Sequence, residues 1–314
     1  MKSTEGFIEG TQIRWAWDAT CISAFKRCPR YYQYRYILGW TGDSGIHIRW
    51  GNEFHKGLED YDRHLARGHS HVQALHFTLR STLERIKNWE PEPQTKSEEV
   101  KSKPNLIKCI EWYIDHYHPD PAQTYILQNG DPAVELNFNF PLSFGPNLGL
   151  HNEEPGQPYH LCGYLDRVVN YNDDLYVMDR KTTSSTPGSY YFDKFDLDDQ
   201  MSAYNLAAKV LLKSPIRGVI VDAMQVSTQA PKPVRSFTYR TEEQLEEWLE
   251  ELQIWLRQAE VYALEDYWPM NLTSCDKYGG CEFRKICSKS PSVRNRFLHG
   301  EMKREELWNP LNPR

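Results

Sequence analysis

The sequence has no apolar run near the ~20 residues that a membrane span requires. Its opening, MKSTEGFIEGTQIRW, lacks the apolar stretch of a secretory signal, so a cytoplasmic protein is the expectation. There is no Cys-x-x-Cys pair, no internal repeat and no low-complexity segment. Positive charge is not in excess: 37 Lys and Arg stand against 43 Asp and Glu, a net of −6. That excludes a protein that coats a polyanion by charge alone, while leaving room for a carboxylate-lined site. Seven cysteines, Cys21, Cys28, Cys109, Cys162, Cys275, Cys281 and Cys287, are an odd number, which fits a disulfide framework poorly in a reducing compartment. Three of them crowd near the C-terminus, a pattern that reads better as metal or cluster ligation.

What is present is an ordinary globular composition over 314 residues, 39% hydrophobic and 25% charged. Two segments are basic: Lys26, Arg27, Arg30 and Arg35, and Lys277, Arg284, Lys285, Lys289, Arg294 and Arg296. On charge alone both describe solvated faces. Residues 1–19 read as a tail or edge strand. Thr20 is a candidate cap for a helix running to Cys28, and Pro29 suits the first turn of the next. Helices are expected at 46–66, 71–89 and 105–117, making a helical insert over about 65–125.

Residues 133–140 then alternate apolar and polar, as a half-buried strand does. Strands at 161–171 and 175–183, joined at Asn172-Asp173-Asp174, read as a hairpin. A helix follows at 198–213, capped by Asp196 or Asp198. A buried strand at 217–226, a short β-prone SFTYR and a helix opened by Thr241 complete the chain. This order predicts an α/β fold with a central mixed sheet flanked by helices. A single domain is expected over 20–290, with tails at 1–19 and 291–314.

Chemistry concentrates on the hairpin. Alternate residues of a strand share a face, so Asp179 and Lys181 project together and Arg180 points away. Asp166, on the neighbouring strand, can approach Asp179. Two carboxylates on one face are costly without a compensating cation, and oxygen ligands of this kind suit Mg²⁺ or Mn²⁺. The lysine can orient a water and stabilise charge on a phosphate. His55 lies four residues after Gly51 on one helix face, where the glycine would let a neighbouring backbone approach. Gln200 and Tyr204 are spaced the same way, and Glu135 sits mid-strand.

The series Gly51-Asn-Glu-Phe-His55, Glu135, Gly163-Tyr-Leu-Asp166, Asp179-Arg-Lys181 and Gln200-Met-Ser-Ala-Tyr204 resembles the PD-(D/E)XK nuclease superfamily. More narrowly it looks like the RecB-like branch, which includes the AddB nuclease domain and the CRISPR-associated RecB-like exonucleases. The resemblance covers roughly residues 20–290 and implies a restriction-endonuclease-like fold. It implies a metal-dependent DNA nuclease, an exonuclease on single strands or DNA ends. His55, Asp166, Asp179 and the Arg180 carbonyl would hold the metal. Asp166, Asp179, Lys181 and Glu135 would carry catalysis, and Gln200 and Tyr204 would engage DNA.

The cysteines extend the likeness. Cys28, in Cys-Pro-Arg-Tyr-Tyr, together with Cys281 and Cys287, resembles the cluster ligands of the branch's iron–sulfur members, with Cys275 the fourth. Four thiolates suit a [4Fe–4S] cluster, in a module formed by Cys28 and residues 275–287. Five residues separate Cys275 from Cys281, where the family more often has two. Zinc is the rival metal. Cys21, Cys109 and Cys162 read as buried residues. Arg30, Tyr31 and Arg35, with Tyr32, Tyr34, Tyr36 and Trp40, suggest a stacking platform for single-stranded DNA or, alternatively, packing around the cluster. No helicase motor is present, so unwinding would fall to a partner, a helicase or a recombination protein. Two other classes share some of these features. One is a DNA-binding assembly subunit of a recombination or DNA-integration (CRISPR adaptation) complex. The other is a metal-dependent hydrolase of another substrate. Intact Asp166, Asp179 and Lys181 favour an enzyme over the first, and Gln200/Tyr204 with the cysteine set disfavour the second.

Overall fold

A computed structural model describes residues 6–8, 11–42, 45–93, 95–147, 157–276 and 280–307. The elements run β1 (Ala16–Trp17), α1 (Ala19–Arg27), α2 (Pro29–Tyr32), which continues as a π-turn over Gln33–Ile37, and β2 (Trp40–Thr41). Then come α3 (Ile46–Ala66), α4 (His71–Ile86), α5 (Lys96–Glu99), α6 (Lys103–His116), β3 (Gln123–Thr124), β4 (Val134–Pro141), β5 (His160–Tyr171) and β6 (Asp174–Thr183). The last are α7 (Ser189–Asp193), α8 (Asp199–Leu212), β7 (Gly218–Gln225), β8 (Lys232–Thr238), α9 (Glu242–Leu264), α10 (Arg284–Cys287), α11 (Pro291–Glu301) and β9 (Lys303–Arg304). The fold is α/β, with a mixed sheet flanked by helices. The chain divides into two compact units rather than one domain: residues 44–136 with 164–241, and residues 1–43, 137–163 and 242–314.

The first of these carries the sheet order β5–β6–β7–β8. β5 and β6 are antiparallel, closed by Asn172 and Asp173 at φ 51° and 67°. Two successive left-handed residues make the turn that matches the twist of a hairpin, and Asn and Asp tolerate them best. β6 pairs with β7 in parallel, and β7 with β8 antiparallel. β8 runs from Lys232, longer than SFTYR alone suggested. Pro233 is tolerated in it because β8 ends the sheet order.

The expected insert is part of this unit's core. Trp50, Phe54 and Leu58 of α3 pack with Ala74, Leu106, Ile110 and Met224. Gly57 permits the approach, since a Cβ there would lie 2.6 Å from Ile110 Cδ1. α4 starts on a Ser70–Gln73 capping box and α6 on Ser102, whose hydroxyl accepts from the Asn105 amide.

In the other unit the segment expected as a tail is built in. Ile13, Ala16 and Trp17 are fully buried, and β1 pairs in parallel with the start of β5. Trp17 stacks on Tyr32 at 5.1 Å, with Phe25 and Trp268 packed edge-on to one another. Burial of four large rings is the reason this segment is held, and one of them, Trp268, comes from a distant part of the chain. α1 is capped by Asp18, not Thr20: the carboxylate accepts from the Cys21 amide at 2.8 Å. The C-terminal segment is likewise not a tail through Arg304. Leu298 of α11 is buried, and β9 pairs with β2 through Trp40 and Arg304.

Candidate active site

The hairpin register places Arg167 opposite Met178, so one step on, Asp166 faces Asp179. Asp166 Oδ2 accepts from the Arg180 amide at 3.0 Å. His55, projecting from α3, places Nδ1 3.4 Å from the same oxygen. Asp179 is 1% exposed because β6 lies between β5 and β7. Its counter-ion is Lys181, two residues on and on the same face, with Nζ 2.9 Å from Oδ1 and 2.7 Å from Oδ2. Only the first contact has hydrogen-bond geometry, and Oδ2 is left without such a partner. Lys181 Nζ also donates to Gln200 Oε1 at 2.6 Å, and Gln200 Nε2 donates to Tyr204 Oη at 2.9 Å. Asp198 sets the start of α8 by accepting from the Gln200 and Met201 amides, which fixes where the Gln200 side chain emerges. The Asp196 alternative for this cap is set aside.

The electrostatics follow from this packing. Burial pushes the Asp179 carboxyl above the ordinary range; Lys181 opposes the shift and Asp166 adds to it. In Asp166 burial again favours the proton, but His55, Lys181 and the Arg180 amide outweigh it and hold it low. Burial works against the charge on Lys181, and Asp179 and Asp166 more than offset it, so the amine is an ammonium.

Glu135 joins the same cluster. Burial, then Asp166 and Glu59, raise its carboxyl to about 7 against the pull of His55 and Arg63. Its φ is 51°, a left-handed conformation that costs a side-chain-bearing residue about 1–2 kcal/mol. Arg63 donates to the carbonyl of the preceding Val134 at 3.1 Å and to Glu59 at 2.9 Å, which pins the backbone there. Sequence spacing gave no hint of Arg63, or of Tyr191 and Lys194, both of which feel the Lys181 charge. Gly51 does not supply close backbone approach: its nearest neighbour would be Thr182 Oγ1, at an ordinary 3.5 Å.

Arg180 does point away, into a buried network on the opposite face. Its Nη2 meets Asp62 Oδ2 at 2.6 Å, and Asp62 Oδ1 lies 3.6 Å from Arg167 Nε. Arg167 and Arg235 share Asp120, and Arg235 also meets Asp222 at 2.9 Å. Three guanidiniums thus face three carboxylates. His55 and Asp62 are seven residues apart on α3, so one helix holds both a metal-type ligand and the anchor of the strand that carries the other two.

In the cysteine-bearing unit, Cys28 lies between α1 and α2, and its Sγ accepts from the Asn271 amide at 3.3 Å. Asn271 and Ser274 both bond the Arg27 carbonyl, and the Cys281 amide bonds the Cys275 carbonyl at 2.9 Å. Burial raises the Cys281 and Cys287 thiols, the latter to about 11, and neighbouring cysteines, Cys28 among them, add to it. All four thiols are free and half-buried, whereas Cys21, Cys109 and Cys162 are buried. Lys277 lies outside the described residues.

The aromatic stretch is not a free platform. Tyr32, Tyr34 and Trp40 are buried. Arg30 donates to the Trp268 carbonyl at 2.6 Å, Tyr31 packs on Phe283, and Arg35 pairs with Glu305. Burial of these rings with Phe283 and Trp268 is the physical reason they face inward.

A nitrogen and two carboxylates, one with an orphaned buried oxygen, make a donor set that fits a hard divalent cation. As they stand, no three His, Cys, Asp or Glu side chains among the described residues converge on one ion position, at this site or at the cysteines. At the carboxylates the Lys181 ammonium sits against Asp179.

The family model of the PD-(D/E)XK nuclease superfamily matches residues 16–288. No curated protein matches the chain. Among solved structures, a protein from Eubacterium rectale provisionally described as an exonuclease is similar at 9% identity. That likeness has a TM-score of 0.48 and covers 87% of this chain and 88% of that one. SSO0001 is similar at 13% identity and TM-score 0.26, over 57% of this chain and 84% of that one. Both scores are low, and the weight lies on the family match.

Proposed function

This chain belongs to the PD-(D/E)XK nuclease superfamily, and on that premise we propose that it is a divalent-cation-dependent deoxyribonuclease. The observation that carries the reading is the linked set Asp166, Asp179, Lys181, Gln200 and Tyr204, with His55 against Asp166. His55, Asp166, Asp179 and the Arg180 carbonyl would hold Mg²⁺ or Mn²⁺. When bound, the cation supplies polarisation of the scissile phosphate and stabilisation of the leaving oxygen. The residues do the rest. Lys181, held against Asp179, would hold the attacking water and the phosphoryl oxygens. Gln200 and Tyr204 limit where the Lys181 amine can point. Glu135, aimed by its left-handed backbone, would accept a hydrogen bond from the same water.

The test is incubation of the purified protein with end-labelled single- and double-stranded DNA, linear and circular, with Mn²⁺ or with EDTA. Cleavage is expected only with the cation, and loss of circular substrate would assign internal rather than end-dependent cutting. Undiminished cleavage by Lys181→Ala would remove the active-site assignment.

The second part of the reading places the chain in the iron–sulfur RecB-like branch. Cys28, Cys275, Cys281 and Cys287 supply the four thiolates of a [4Fe–4S] cluster. Support comes from their being unpaired and mutually neighbouring, with residues 271–275 tied to Arg27 and Cys28. Iron and acid-labile sulfide in the anaerobically purified protein are expected; zinc in their stead at full activity would refute the cluster.

A further inference from the structure

Beyond Lys181, at the C-terminal end of β6, an open cleft of about 350 Å³ is lined by His47, Ile48, Lys101, Thr182, Thr183 and Ser184. Its central feature is Lys101, only 3% exposed. Among the described residues no carboxylate or hydrogen-bond acceptor pairs with its ammonium; it lies over the face of Trp50, 4.2 Å from the ring centre, near the buried Cys109 thiol. Buried charges are ordinarily paired, because desolvation is not repaid otherwise. A cation–π contact repays part of that cost, and three hydroxyls on the same cleft offer only neutral dipoles. The His47 side chain on the cleft has Glu98 3.8 Å from its Nε2. Burial lowers the Lys101 amine to about 8, a cost that a bound anion would relieve.

We propose that this cleft is an anion site that takes a phosphate of the nucleic-acid strand, with Lys101 as the buried cation and Thr182, Thr183 and Ser184 as hydroxyl donors. Thr183 lies two residues past Lys181 on the same strand, about 7 Å along it, on the scale of one nucleotide step. The cleft therefore holds the strand one phosphate away from the bond at the carboxylates. The site's existence stands on Lys101 and the cleft; that its anion belongs to a nucleic acid rests on the nuclease reading.

The experiment has two arms, each with the full chain in EDTA. In the first, thermal unfolding is followed with inorganic phosphate against chloride of equal ionic strength. Phosphate should raise the wild-type transition and leave Lys101→Met unmoved, while Thr183→Val, which keeps the ammonium, should show a reduced shift. An equal shift in Lys101→Met, or none in the wild type, overturns the site. In the second, binding of a 3′-labelled single-stranded oligonucleotide is measured with a 5′-phosphate or a 5′-hydroxyl. Loss of one charge-assisted contact should weaken Lys101→Met by about tenfold. A loss with both ends assigns an internal phosphodiester, and a loss with the phosphorylated end alone assigns a terminal phosphate. Unchanged binding of both, beside a positive first arm, overturns the nucleic-acid assignment. A positive first arm in a protein that cleaves no DNA would sink the nuclease reading and leave the anion site standing.

Discussion

Removal of Asp62 should unfold more of this protein than removal of any group at the carboxylate site. Asp62 and Arg180 are each 3% exposed and meet at 2.6 Å, and Arg180 Nε already lacks a hydrogen-bond partner. Asp62→Ala leaves Arg167, Arg180 and Arg235 facing only Asp120 and Asp222, one buried positive charge in excess. Breaking a buried pair from one side costs about 3–5 kcal/mol, a large share of the ~5–15 kcal/mol that holds a typical domain. Asp62→Ala combined with Arg180→Met removes both charges and should recover most of that loss, because replacing a buried pair with apolar groups is close to neutral. Urea unfolding of the two single variants and the double variant gives the coupling directly. A single-variant loss below about 1 kcal/mol, or a double variant as unstable as the sum of the singles, would refute the account of the network. Because Arg180 lies between Asp179 and Lys181, the double variant also asks whether the anchor matters to cleavage apart from stability.

Other outcomes follow from the same coordinates. Glu135→Gly relieves the left-handed strain and should stabilise the fold by up to about 1 kcal/mol, while DNA cleavage falls; a destabilised Glu135→Gly protein would show that the backbone there is not strained. Lys101, a base with its amine lowered to about 8, bears its full charge-burial penalty below that pH. Between about pH 8 and 10 the folded state releases a proton that the unfolded chain, with its amine near the usual ~10.4, still holds. Stability from this residue therefore rises with pH across that window, by about 3 kcal/mol at most, and the rise should be absent from Lys101→Met in parallel urea titrations. Cys287→Ser should lose iron and loosen residues 271–287 to proteolysis, and an unchanged iron content would take Cys287 out of the ligand set.

Much of the fold was legible because it is written in local periods. The alternation of residues 133–140, the Asn172–Asp173 turn and the four-residue step from Gly51 to His55 all reflect neighbours in sequence. The Asp179–Lys181 face needed only the two-residue repeat of a strand, and Arg180 pointing away needed nothing more. Where local reading failed, a distant partner was responsible. Tyr32, on which Trp17 stacks, is buried because Trp268 returns to meet it. Tyr32 and Tyr34 looked like a stacking surface only while their packing partners were unknown.

From the chain alone came the order of the acidic, basic and amide groups and the faces on which they lie, since backbone geometry sets both within a few residues. The cancelling of three arginines by three aspartates, the left-handed backbone at Glu135 and the isolation of the Lys101 ammonium came only with the tertiary structure. Each depends on which remote group excludes water from a charge, and no repeat in the sequence encodes that.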